Sequence, residues 1–129
     1  MSTSSDVGDL VNSVKSLTSS VHILQFKVEV LKAKLAQRDA QHFNDRSIQR
    51  NTTFARLKMV VNGLGAQPID PSYNLPALNT LQDLVNLDIP TVKRYLAFYG
   101  IDDSHPYLAQ YGNDACLEMF LRGDPALLV

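Results

Sequence analysis

Val7, Leu10, Val14, Leu17, Val21, Leu24, Val28, Leu31 and Leu35 alternate at spacings of three and four. This is a heptad repeat with Val at four of five a positions and Leu at every d position up to Leu31. A stripe this narrow and regular wants a partner helix rather than a globular core. It predicts a coiled-coil oligomerisation helix over residues 1–43, with these nine side chains as the oligomer interface. Asp6 is placed as an N-cap, and Asp9 suits the positive end of the helix dipole. No Gly or Pro lies between Gly8 and Gly63.

A second apolar series, Ile23, Phe26, Val30 and Ala33, repeats at three, four and three on the c and f positions. It faces away from the a/d seam, so the helix is apolar on two sides there and needs a second cover. The expected cover is a folded-back 54–64 helix, the C-terminal head, or further helices of a larger bundle.

The heptad weakens after Leu35, where Arg38 takes the next d and His42 the next a. The stretch 43–53 is polar and rich in poor helix formers. It predicts a break, followed by a second helix within 44–64 that carries Phe54, Leu57, Val61 and Leu64. Thr52 or Thr53 would cap it, and Gly63 and Gly65 would end it. An uninterrupted helix to Leu64 is the alternative. Pro68, Pro71 and Pro76 make 65–79 an irregular connection.

Residues 80–129 read as a small head of short helices, near 78–87, from Pro90 to Tyr99, from Ser104 and Pro106 to Gly112, and from Asn113 or Asp114 to Leu121. The predicted fold class is therefore all-α, a long N-terminal coiled-coil helix followed by a small C-terminal helical domain. Tyr95, Phe98, Tyr99, Tyr107, Tyr111 and Phe120 should form most of the head's core. The apolar end Ala126-Leu127-Leu128-Val129 is a candidate dock.

Charge adds a polarity. The net charge is −1, but residues 1–64 carry nine bases against five acids, and 65–129 three bases against eight acids. The resulting +4 arm and −5 head suit an acidic partner helix or a neighbouring copy. In a parallel pair Lys27 would face Lys32, which repels, and Lys34 would face Asp39, which attracts.

Candidate chemistry is sparse. His22, His42 and His105 have no ligand-spaced companions, so no metal and no cofactor are expected. The lone Cys116 cannot form an intramolecular disulfide and sits among Leu117 and Phe120 as a core thiol. No phosphate loop, His-Glu metal motif or Gly-flanked nucleophilic Ser is present, which argues against an enzyme. Residues 80–99 have the layout of a helix-turn-helix with Lys93 and Arg94 on its second helix, and the stretch 27–58 is basic. These give an alternative reading as a dimeric nucleic-acid binder. The acidic head works against it, because such affinity rests on several phosphate contacts. There is no basic-then-apolar leader and no run long enough for a membrane span. The expectation is an intracellular, soluble scaffold or adaptor that self-associates as a dimer or higher bundle and displays a protein-docking head.

Overall fold

The computed structural model describes residues 3–52 and 54–127. The fold is all-α. The order is α1 (Thr3–Arg50), α2 (Leu81–Val85), α3 (Ile89–Phe98), α4 (Pro106–Tyr111), α5 (Asn113–Leu121) and a short 3-10 turn at Pro125–Leu127. Among the described residues the only β pairing is a single antiparallel bridge between Arg56 and Thr80.

The 48 residues of α1 extend for roughly 70 Å at the usual rise per residue. They divide into two parts. From Asp6 to Glu29 every side chain is exposed. From Ala33 onward one face turns inward, carrying Ala33, Ala40, Gln41, Asn44 and Ile48. The head packs on that face.

The expected break at 43–53 does not occur before Arg50. Local propensity there is poor, but tertiary contacts override it. Asn44 and Ile48 are buried. Asp45 pairs with Arg122 of the head at 2.8 Å and accepts from Gln49 Nε2 at 2.9 Å. Thr52 closes α1 rather than opening a new helix, since its hydroxyl donates to the Ile48 carbonyl. Thr53, the other expected cap, lies outside the described residues, as do Leu128 and Val129 of the candidate C-terminal dock. Leu127 is buried in the core.

The expected second helix within 44–64 is absent. Residues 54–62 are a strap that runs back along α1. Ala55, Leu57, Val60 and Asn62 are buried, whereas Phe54 and Leu64 are each 77% exposed. Burial thus starts with the two-residue period of an extended chain, and the 54/57/61/64 series does not form a face. The strap's backbone is paired outward: Leu57 N donates to Asn79 O and Leu81 N to Ala55 O. α1 supplies further partners. Asn44 donates to Lys58 O and accepts from Lys58 N, and Gln37 Nε2 donates to Val61 O at 3.0 Å.

The head encloses Val92, Tyr95, Leu96, Cys116, Leu117, Phe120 and Leu121, with Val60 and Leu75 of the connecting segment against them. α3 and α5 are its main pair. The helix boundaries have local causes. Thr80 and Asp83 form a reciprocal capping box on α2, Asp88 caps α3 with Pro90 in its first turn, and His105, not Ser104, caps α4. Gly123 ends α5 at φ +76°, and a Cβ there would sit 3.1 Å from the Gln41 Cβ. Both the left-handed turn and the close approach to α1 therefore require glycine.

Candidate association face of the long helix

The a/d seam is a long uncovered apolar stripe. All nine of its residues are exposed, from 41% at Val21 to 65% at Leu17. The arm is also rich in Ser, Thr and Val, which favour helix weakly. An isolated helix of such composition is marginal in water and gains stability by burying a face.

The head leaves that face open. It packs on the c, f and g positions, represented by Ala33, Ala40, Gln41, Asn44 and Ile48. The seam lies on the other side of the helix and ends where the head begins. Its next positions are Arg38, exposed His42 and Asp45, the last held by Arg122. On the flank, Lys32 sits 3.5 Å from Glu29 of its own helix, a solvent-exposed pair of little energetic weight.

The second series is only partly covered. Ala33 is buried and Val30 half-buried, but Ile23 and Phe26 stand beyond the head's edge and are exposed. Of the covers expected from sequence, the folded-back 54–64 segment reaches this face, though as an extended strap and not a helix: Gly65 lies against Ala33 and Gln37 Nε2 donates to Val61 O.

Lys93 and Arg94 do not form a common basic surface. The Arg94 guanidinium donates to the carbonyls of Tyr73 at 2.9 Å and Asn74 at 3.1 Å, clamping the connecting loop to α3. Lys93 is exposed, and Val92, Tyr95 and Leu96 bury the other face of the helix.

Polar groups hold the head to α1. Asn44 Nδ2 also donates to Leu121 O at 3.0 Å, and Gln41 Nε2 to Phe120 O at 2.7 Å. Both are terminal carbonyls of α5, where intrahelical donors run out; Phe120 O also accepts from Gly123 N at 3.0 Å. The Tyr99 hydroxyl donates to Val60 O at 2.7 Å and the Tyr95 hydroxyl to Pro76 O. Burial pushes the Tyr95 pKa up to about 12 and raises that of Tyr99 further. It also raises the Cys116 thiol, which disfavours a reactive thiolate.

One constellation was missed by sequence reasoning. Arg46 and Arg50 of α1 and Arg56 of the strap line one groove of about 480 Å³ with His42, Phe43 and Phe54. The spacing of Arg46 and Arg50 was a signal for the first two, but only the strap brings Arg56 to them. Among the described residues no cluster of three or more His, Cys, Asp or Glu is arranged to hold a metal. No helix among them is long and apolar enough to cross a membrane.

The model of the family described as Mug135-like, C-terminal domain, matches residues 44–122, more than half of the chain. The chain belongs to this family. The match starts at Asn44 and stops at Arg122, two residues that tie α1 to α5, so the Mug135-like domain comprises the last turns of α1, the strap and the head through α5. The exposed seam lies entirely before it. No curated protein and no solved structure matches the chain.

Proposed function

We propose that the protein is a non-enzymatic scaffold that self-associates through the α1 seam and displays its Mug135-like domains at the end of a coiled coil. The observation that carries this reading is the exposure of all nine a/d residues on the side of α1 away from the head. Full burial of such a side chain is worth about 1.5–3 kcal/mol. Even a fraction of that, repeated along the seam, outweighs flank terms of tenths of a kcal/mol such as Lys27 against Lys32. Val at a and Leu at d favour two parallel strands. In that arrangement both heads emerge at the same end, on opposite sides of the pair.

The test is molar mass by light scattering on the full chain. The expected mass is a multiple of 14.3 kDa. Leu24→Asp, at the middle of the seam, is expected to return it to that of one chain. A wild-type monomer at micromolar concentration would exclude self-association.

A further inference from the structure

Arg46, Arg50 and Arg56 share one groove at the base of α1. We propose that it docks a short acidic peptide segment of a partner protein, with carboxylates on Arg46, Arg50 and Arg56 and an apolar side chain between Phe43 and Phe54. Among the described residues these three guanidinium groups have no ion pair or hydrogen bond, and all three are exposed. The groove they line, of about 480 Å³, contains one acid, Asp39. Asp45, the other nearby carboxylate of α1, is held by Arg122 and Gln49. The local charge balance is thus strongly positive in a chain whose net charge is −1.

Helix electrostatics explain only part of this cluster. A cation in the last turn of α1 offsets the helix dipole, which accounts for Arg50. Arg56 is on the extended strap, and Arg46 is a turn earlier. Guanidinium groups bind carboxylates through paired N–H donors, so three unpaired ones around one groove match a multiply acidic segment. The aromatics set a second requirement. Phe54 is the most exposed aromatic of the groove, and Phe43 carries Lys58 Nζ over its ring at 4.5 Å. Together they offer an apolar seat beside the charges.

The geometry favours a peptide over a nucleic acid. Strand binding needs a row of cations along a backbone path. On this flank Asp39 interrupts the row between Lys32 and Arg46, and beyond Arg56 the next base, Lys58, stands over the Phe43 ring of the same groove rather than extending a row. The three guanidinium groups instead line one open groove.

The test is fluorescence anisotropy on the full chain with a labelled peptide of Asp and Glu containing one Phe. The wild type is expected to bind. Arg50→Glu and Arg56→Glu are each expected to weaken binding by about tenfold or more, whereas Lys93→Glu, an equal charge change on the head, should have little effect. All three sites are exposed, so folding is checked simply by unchanged circular dichroism. Absence of binding by the wild type, an equal loss in Lys93→Glu, or tighter binding of a single-stranded oligonucleotide of matched charge would overturn the proposal. Leu24→Asp distinguishes it from self-association, because that change should alter the mass and leave peptide affinity intact.

Discussion

The free arm of α1 and the head achieve order by opposite means. The arm is regular in sequence and in structure, yet from Asp6 to Glu29 nothing among the described residues covers it. The head is irregular, with a connecting segment of thirty residues between α1 and α2, yet it is closely packed around Tyr95, Leu117 and Cys116. The arm has its backbone hydrogen bonds by being helical and lacks only a partner for its apolar seam. The head has its apolar partners and must find hydrogen bonds for a connecting segment that is neither helix nor sheet. It finds them in the side chains of Gln37, Asn44, Arg94, Tyr95 and Tyr99. Changes in the two regions should therefore have separable consequences, one in assembly and the other in stability.

The largest effect is expected from Leu24→Asp. A carboxylate in the seam should dissociate the assembly and lower helical circular dichroism as the arm frays, while the denaturant midpoint of the head stays in place. An unchanged mass would break the distinction, because the arm would then be ordered without the seam.

Asn44→Ala is the corresponding change for the head. It leaves Lys58 N, Lys58 O and Leu121 O without their partner. The expected loss is about 2 kcal/mol by denaturant unfolding: Leu121 O is left buried and unsatisfied, which costs on the order of 1–3 kcal/mol, whereas Lys58 is exposed and its backbone groups turn to water. Mass should not change.

A smaller, pH-dependent effect belongs to Tyr95. Its folded pKa of about 12 stands above the ordinary tyrosine value of 10.0 because burial disfavours the phenolate. Between these values the unfolded chain loses a proton that the folded chain keeps, so stability is full below pH 10 and falls as the pH rises toward 12. Tyr95→Phe should flatten that decline in an alkaline denaturation series. At neutral pH it should cost about 1 kcal/mol through the lost bond to Pro76 O.

The smallest effect is expected from Arg122→Ala. The Asp45–Arg122 pair is about one-third exposed on both sides, so its loss should cost about 1 kcal/mol or less and should shrink in high salt. If the cost instead rivals that of Asn44→Ala, ionic rather than neutral hydrogen bonding ties the head to α1.

The legibility of each region follows from how local its cause is. α3 was readable from Pro90 and the stop at Gly100, and α5 from its start near Asn113 and its stop at Gly123, because caps and stops act within one turn. The strap was misread because Phe54, Leu57, Val61 and Leu64 happen to repeat at helical spacing. What decided against a helix was the side chain of Asn44, fourteen positions away, pairing with both backbone groups of Lys58. The arginine groove was illegible for the same reason, since Arg56 reaches Arg46 and Arg50 only after the strap folds back.

The sequence by itself determined the long helix, its heptad seam, the helical character of the head and the burial of Cys116. These depend on periodicity and on residues within a turn of each other. Tertiary structure alone decided that α1 continues to Arg50, that the strap is extended, that Arg94 clamps a loop, and that the head sits on the face away from the seam. Each of those outcomes required a polar group to find its partner across the fold. Hydrophobic spacing carries no record of which distant carbonyl a buried amide will meet.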